Sequence, residues 1–323
     1  MRTLFLAIVA ALAGIGGASA QSFPSRPITL IVPFAAGGGT DVTARIIAER
    51  MRSSLGQPIV VENVAGGAGG VIGVERAARA KPDGHTIVIG HWGTHVANGA
   101  IYALRYDLIR DFTPISLVAR TRWFIVARRD LPANDLDGLI AWLKANPDTA
   151  LAGTGGLGTP EHLAAVLFQN MTGTRLRLVP HRGASPALQD LLGGHIDMMI
   201  ISSSIALPYV REGSIKTLAV MDEGRLAEAP DVPTVDEAGV PGLYFSSWHG
   251  LWAPSGTPRS VVEKLAGAVV DALTDPACAQ RLVGLGQEIF PREQLTPEAL
   301  GAHQKAEIAK WWPIIKVAGV KAE

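Results

Sequence analysis

Strand-like and helix-like segments alternate along most of this chain, and this alternation constrains the fold more than any other feature. The apolar run Ile28–Pro33 predicts a buried strand, and Thr43–Leu55, with apolar residues on one face, predicts a helix after it. Similar pairs recur further along, for example Ala150–Gly153 followed by Glu161–Thr172. Because alternating strands and helices build mostly parallel sheets covered by helices, the sequence predicts an α/β architecture.

Two glycine-rich loops stand at junctions between a predicted strand and a predicted helix. Gly37–Asp41 follows the first strand, and Gly153–Thr159 precedes a helix that opens at Pro160. Glycine has no Cβ, so backbone N–H groups in such loops can approach a ligand closely. A helix N-terminus adds unpaired N–H donors and a partial positive charge. The sequence therefore predicts two backbone cradles suited to an anion.

The start of the chain has the pattern of a cleaved secretory signal. Arg2 supplies the positive charge, Leu4–Ile15 the apolar region and Ala18–Ala20 the small residues of a cleavage site. The apolar stretch is short for a membrane span, and no later segment is long and apolar enough for one. We expect residues 1–20 to be a signal peptide cleaved after Ala20, and the mature chain to be periplasmic with no membrane insertion.

Charge and cysteine content exclude several classes of partner. Lys plus Arg and Asp plus Glu both number 29, so the formal net charge is zero and no basic nucleic-acid surface is expected. Cys278 is the one cysteine, so no intrachain disulfide can form. We expect a monomer that binds no nucleic acid.

The mature chain is long enough for two domains. We place chain crossings near Arg122–Val126 and Ser247–Trp252, which gives a discontinuous first domain of residues 21–122 plus 253–323. The second domain is then 123–252. A connection with two crossings is typical of a hinge that closes around a ligand.

Cofactor and metal motifs are weak in this sequence. Gly153, Gly155 and Gly158 match the dinucleotide fingerprint in spacing, but Arg175–Pro180 lacks the acidic residue expected about twenty positions on. Gly37–Asp41 lacks the Lys-Ser/Thr ending of a phosphate-binding loop. Three histidines, His85, His91 and His95, follow no standard zinc spacing. We predict no cofactor and no metal.

Signatures of a catalytic nucleophile are also missing. There is no Gly-x-Ser-x-Gly elbow and no Cys-His arrangement around Cys278. The serines Ser202–Ser204 follow a predicted strand, where they suit a hydrogen-bonding wall as well as a catalytic group. We predict that the protein is not an enzyme.

Three candidate residues remain open between a ligand contact and a structural role. Asp41 suits helix capping better than direct contact with an anion, whereas Thr40 can offer both its hydroxyl and its N–H. His91 directly follows the predicted strand Thr86–Gly90, where α/β sheets commonly place ligands, and a plain surface position suits it equally.

Short motifs along essentially the whole mature chain resemble those of one family, the tripartite tricarboxylate transporter substrate-binding proteins, also called the Bug family. They are Ile31–Phe34 with Gly37–Asp41, Val61–Asn63 with Gly66–Gly70, Ala80–Gly84, Asp111–Val118, Val179–Gly183, Leu191–Gly194, Asp231–Thr234 with Glu237–Gly239, Ser247-Trp248, Gly250-Leu251, Ala253-Pro254 and Gly256–Pro258.

The resemblance implies a type II-like periplasmic binding protein, in which two α/β domains close on a cleft like a Venus flytrap. Members bind small carboxylates, and many pass them to membrane permease subunits. Carried over by motif, Phe34–Asp41 and Gly153–Thr159 would clasp one carboxylate from opposite domains. The ligand-binding residues that we predict are Phe34, Ala35, Gly38, Thr40, Asp41, Gly67, His91, Gly155, Leu157, Thr159, His181 and Ser202.

The chain departs from the usual family pattern at three places. His181 stands where many members have Tyr, Ile200–Ser203 replaces a Phe-Asp or Phe-Ala pattern, and Ala35-Ala36 replaces Pro and Ala. His181 would add charge toward a second acidic group or act as a neutral donor. Two alternatives stay open, a binding or sensing protein without a transporter and an exported enzyme that uses the same cleft.

Overall fold

A computed structural model describes residues 23–66, 68–181 and 183–321. The predicted signal peptide and Gly67 lie outside the described residues. The strands are β1 Ile28–Val32, β2 Ile59–Asn63, β3 Thr86–His91, β4 Phe112–Ala127, β5 Leu151–Thr154, β6 Arg177–Pro180, β7 Met198–Ser202, β8 Lys216–Val220, β9 Ser246–Pro254 and β10 Gln287–Ile289. The helices are α1 Gly39–Leu55, α2 Val71–Ala78, α3 Asn98–Ile101, α4 Leu136–Ala145, α5 Pro160–Thr172, α6 Ala184–Leu192, α7 Ser203–Arg211, α8 Arg259–Thr274, α9 Pro276–Gly284 and α10 Pro297–Val317.

The strands form one mixed sheet in which two parallel groups are joined by antiparallel pairs. The order along the sheet is β2-β1-β3-β9-β4-β7-β5-β6, with β8 and β10 both pairing with β4. β1 is parallel to β2 and β3, and β5 is parallel to β6 and β7. The pairs β3–β9, β9–β4 and β4–β7 are antiparallel. This mixed sheet with flanking helices confirms the predicted α/β class.

Strand β4 connects the two parallel groups. Its first part, from Phe112 to Arg122, pairs with β9, whereas Trp123–Ala127 pairs with β7 and β8. The apolar pattern of the sequence indicates a strand only at Phe124–Ala127, because Pro114 and polar residues interrupt that pattern upstream. Pairing with β9, more than 120 residues away, forms the rest of the strand, and a periodicity argument cannot detect such a partner.

Three tryptophans near the predicted crossings are buried in the core. Trp123, Trp248 and Trp252 are each at most 2% exposed. The indole N–H of Trp123 donates to Ser247 Oγ at 3.1 Å, and that of Trp252 donates to Gln304 Oε1 at 3.2 Å. Large buried rings with satisfied N–H groups are packing residues, in agreement with the preference stated from the sequence.

Within the described residues, no helix combines the length and apolarity that crossing a bilayer requires.

Candidate functional site

Helices that begin after the parallel strands lack side-chain caps. The N-cap residues Gly38 of α1, Gly70 of α2, Thr159 of α5, Gly183 of α6 and Ser202 of α7 make no side-chain hydrogen bond to their helices. In contrast, Asp135, Asp275 and Thr296 cap α4, α9 and α10 with their side chains. The first-turn N–H groups of these helices are therefore left without a capping side chain and can serve an anion.

Helices α5 and α10 make this difference clear because both start with the same three residues. Thr159-Pro160-Glu161 opens α5, and Thr296-Pro297-Glu298 opens α10. Thr296 Oγ1 accepts the N–H of Ala299 at 3.1 Å as a capping residue. Thr159 instead donates its hydroxyl to the carbonyl oxygen of Gly156 at 2.8 Å. Because both helices start with the same three residues, the missing cap of α5 is explained by the conformation of the glycine loop that precedes it.

Asp41 holds the first glycine loop in shape. The N–H of Gly37 donates to Asp41 Oδ2 at 2.8 Å, and Asn63 and Arg45 donate to Oδ1 at 2.9 and 3.0 Å. The residue is 2% exposed. Burial alone would raise the pKa of Asp41, but the hydrogen bonds from Arg45, Gly37 and Asn63 hold this pKa below its ordinary value. Its oxygens are occupied by protein donors, so Asp41 has a structural role, but that role is to hold the loop and not the predicted capping of the first turn of α1.

Phe34, His91 and His249 form an aromatic wall beside this loop. The rings of Phe34 and His91 stack with centroids 4.9 Å apart and planes 6° apart, and His249 meets His91 edge-on at 6.0 Å. The N–H of Gly93 donates to His91 Nδ1 at 2.8 Å, so the proton of the neutral ring is on Nε2. Burial lowers the pKa of His91 to about 4. At neutral pH His91 is therefore an uncharged donor.

His249 contacts Thr40 at the first turn of α1. Its Nε2 lies 3.1 Å from Thr40 Oγ1, and the residue is 7% exposed. Burial, together with the nearby His91, lowers the pKa of His249 to about 3. His249 was not selected from the sequence. It lies on β9, a strand that the sequence pattern does not predict. The one available signal was a polar residue between Trp248 and Gly250 in an otherwise apolar stretch.

The second glycine loop lies against the starts of α5 and α6. A Cβ on Gly155 would lie 2.9 Å from Glu161 Oε2 and 3.4 Å from the backbone nitrogen of Ala184, so glycine permits this approach. Leu157 at the tip is 57% exposed. A Cβ on Gly158 would lie 3.0 Å from Cδ1 of Ile101, so the loop borders the part of the sheet that carries β1 and β3.

Glu161 is a buried carboxyl group in this loop that the sequence analysis did not select. The residue is 7% exposed, and burial raises the pKa of its carboxyl above the ordinary value, against smaller opposing hydrogen bonds. An acidic residue in the first turn is an ordinary feature of helices, so its sequence position gave no signal. Only the fold shows that the carboxyl group of Glu161 lies against the glycine loop, at Gly155.

His181 and Ser202 direct their polar atoms at neighbouring protein groups. His181 Nδ1 lies 2.9 Å from the carbonyl oxygen of Val179, and its Nε2 lies 2.9 Å from Asp190 Oδ2. Ser202 Oγ lies 3.1 Å from Ser204 Oγ. Both ring nitrogens of His181 thus have partners within the chain, and neither is free for the predicted contact with a ligand.

Of the remaining predicted positions, Ala35 lies in the first loop. The carbonyl oxygen of Ala35 lies 3.6 Å from where a Cβ on Gly38 would be, and Gly67 lies outside the described residues. Among the described residues, no group of three or more His, Cys, Asp and Glu side chains is arranged to hold a metal ion.

Known proteins with similar sequences and folds share this architecture. The family model for the tripartite tricarboxylate transporter family receptor matches residues 43–320. The periplasmic binding protein BugD is 39% identical, with a TM-score of 0.79, and the match covers 93% of this chain and 100% of BugD.

Two similar structures contain a dicarboxylate. MatC from Rhodopseudomonas palustris, solved with bound malate, is 38% identical with a TM-score of 0.79, over 91% of this chain and 100% of MatC. Rpa4515 from R. palustris, solved with adipate, is 35% identical with a TM-score of 0.80, over 92% of this chain and 98% of that protein.

Proposed function

This chain belongs to the tripartite tricarboxylate transporter receptor family, and from that membership we propose that it captures a small carboxylate in the periplasm and delivers it to a membrane permease. Its relative BugD is a periplasmic binding protein and its relative MatC was solved with bound malate, which fits a protein that is not an enzyme. The ligand is proposed to lie between Phe34–Asp41 and Gly153–Thr159, with Thr40 and His91 as donors.

The observation that carries this proposal is the set of uncapped helix N-termini that follow the strands of both parallel groups. The N-caps Gly38 and Thr159, which begin α1 and α5, belong to the two glycine loops. A bound carboxylate would receive the N–H groups that capping side chains serve elsewhere in the chain. Hydrogen bonds to a charged group contribute about 1.5–3 kcal/mol each, and micromolar affinity corresponds to about −8 kcal/mol. A few such bonds, after the costs of association, are sufficient.

The two-domain division stays a proposal, with residues 21–122 plus 253–323 closing on 123–252. What supports it is the change of partner in β4, where pairing with β9 ends at Arg122 and pairing with β7 begins at Trp123. A ligand that contacts a glycine loop on each side would favour the closed state, because it gains contacts there that the open state cannot offer.

Thermal unfolding of the mature protein tests carboxylate binding. Malate, adipate and a panel of mono- and dicarboxylates are added in turn. A ligand at 100 times its Kd stabilises the folded state by about 2.7 kcal/mol, so we expect a rise of several degrees in Tm for at least one acid. The absence of both a Tm shift and calorimetric heat across the panel would contradict the proposal.

Delivery to a permease needs a separate measurement. Uptake of the binding acid into cells is compared with and without the gene for this chain. Unchanged uptake alongside measured binding would favour the alternative of a binding or sensing protein without a dedicated transporter.

Glu161→Gln should remove a pH dependence from carboxylate binding. As pH rises through the raised pKa of Glu161, its carboxyl ionises beside the α5 terminus and opposes a bound anion. We therefore expect the affinity of the wild-type protein to fall as pH rises through that pKa, and that of Glu161→Gln to stay constant and to be several-fold higher at the high-pH end of the titration. Isothermal titration at pH values on both sides of that pKa measures both.

Glu298→Gln is the matched control for this substitution. Glu298 occupies the same position in the second Thr-Pro-Glu sequence, at the start of α10, and is exposed. It should retain the pH dependence of the wild type. Parallel pH profiles for the wild type and Glu161→Gln would show that Glu161 does not face the ligand.

A further inference from the structure

His249 has one ring nitrogen that makes a hydrogen bond and one that does not. Nε2 lies 3.1 Å from Thr40 Oγ1, whereas Nδ1 is buried and has no partner among the described residues. A buried N–H without an acceptor is rare in folded proteins, and an unused lone pair is tolerated more readily. The neutral ring therefore carries its proton on Nε2 and leaves Nδ1 bare.

This tautomer determines what the hydroxyl of Thr40 can do. A hydroxyl has one hydrogen to donate and two lone pairs to accept with. When Nε2–H of His249 donates to Thr40 Oγ1, the single hydrogen of Thr40 remains available for another acceptor. In the opposite tautomer Thr40 would donate to His249, and its hydrogen would be used inside the protein.

We propose that His249 is a positioning residue for the ligand, which orients the hydroxyl of Thr40 so that its hydrogen points to an acceptor atom in the cleft. The proposal rests on the proposed function, because the acceptor is taken to be a carboxylate oxygen of the bound acid. Thr40 is in the first turn of α1, beside the N–H groups that Gly38 leaves uncapped. Hydroxyl and N–H donors then converge on one group of the ligand.

The arrangement selects the chemical class of ligand at this position. His249 occupies one of the two lone pairs of Thr40 Oγ1 and leaves its hydrogen free, and His91 presents Nε2–H from the adjacent wall. Both groups donate, so the position accepts a carboxylate or carbonyl oxygen and disfavours an ammonium or a second donor.

Affinities of four variants, measured with whichever of malate and adipate binds more tightly, test whether His249 positions the hydroxyl of Thr40. His249→Phe keeps a ring but loses the donor, and we expect about tenfold weaker binding. His249→Gln places an amide N–H near the position of Nε2 and should stay within about threefold of the wild type. In a Thr40→Val background, where the hydroxyl is already absent, His249→Phe should cause almost no further loss. Equal losses in the two backgrounds would assign His249 a packing role only and overturn the proposal.

Imidazole ¹⁵N NMR provides a second readout that packing alone would not change. The signals of His249 are assigned by their loss in His249→Gln, and spectra are recorded with saturating acid. We expect protonated Nε2 and bare Nδ1 in the complex. Protonated Nδ1 with bare Nε2 would mean that Thr40 donates to His249. This result would overturn the proposed positioning of Thr40 by His249 without contradicting carboxylate binding. If the wild type binds neither malate nor adipate, the proposed function fails for these two acids, and the proposed positioning of Thr40 by His249 fails with it.

Discussion

Gly38→Val is expected to weaken carboxylate binding roughly 100-fold while the protein stays folded. Gly38 has φ −75°, which any residue adopts, and the nearest atom to an added Cβ is the carbonyl oxygen of Ala35 at 3.6 Å. The fold can therefore accommodate valine at this N-cap. Its branched side chain would stand in front of the first N–H groups of α1. Two lost hydrogen bonds to a charged group, at about 1.5 kcal/mol or more each, correspond to roughly two orders of magnitude in Kd.

Gly267→Val is the matched control for this substitution. Gly267 is exposed on α8, and an added Cβ there meets no atom within 4 Å. Both variants should unfold at similar urea concentrations, and only Gly38→Val should lose affinity in isothermal titration. A folded Gly38→Val protein with the wild-type Kd would show that this loop does not hold the ligand.

Local sequence patterns predicted the parts of the fold that local interactions determine. The sequence pattern of Arg259–Thr274 indicates a helix with the observed bounds, because its apolar residues recur on one face and Pro258 precedes its first turn. Strand β9 and most of β4 were not predicted, since each exists through pairing with the other across a long separation. Their polar and proline residues are acceptable in a strand only with that partner.

The same limit applies to the site. His91 was selected because it directly follows a predicted strand, and Thr40 because it offers a hydroxyl and an N–H in the glycine loop after another strand. The carboxyl ends of parallel strands meet at one edge. His249 contacts Thr40 across 209 residues, so only the fold brings the two together. His181 was selected because it departs from the family pattern, and the structure shows Val179 and Asp190 as partners of its nitrogens. A departure from a pattern identifies a change in chemistry but not the direction of the side chain.

Acidification from pH 7 to 5 is expected to destabilise the protein by roughly 5 kcal/mol. Burial lowers the pKa of His95 to about 3, that of His249 to about 3 and that of His91 to about 4. His95 is fully buried and stacks on Trp252 with centroids 3.8 Å apart. These rings stay neutral in the folded protein over a pH range in which the unfolded chain takes up protons, near 6.5.

The sign follows from the number of bound protons. Between the folded and unfolded pKa values the unfolded chain binds more protons, so the free energy of unfolding decreases as pH falls. The stability that these histidines contribute is fully present above the unfolded pKa and is lost below it. Each one contributes at most about 1.4 kcal/mol per pH unit, which is about 2 kcal/mol between pH 7 and 5.

Two buried carboxyl groups act in the opposite direction. Burial raises the pKa of Glu161 and of Glu307, so the folded protein takes up protons there more readily than the unfolded chain. Their contribution increases as pH falls and offsets part of the loss from the histidines. The three histidines alone account for a loss of roughly 5 kcal/mol. His303, whose pKa burial also lowers to about 4, adds to this loss, and the two carboxyl groups offset part of it, within a total stability of typically about 5–15 kcal/mol.

Urea unfolding of the mature protein at pH 7 and pH 5 measures this loss. His95→Gln should be less stable than the wild type at pH 7, because it loses the stacked ring, but its stability should fall about 2 kcal/mol less on acidification. His195→Gln, at an exposed histidine, should lose as much stability as the wild type. Equal free energies of unfolding at pH 7 and 5 would mean that the buried rings take up protons in the folded state, and His91 could then no longer be treated as an uncharged donor.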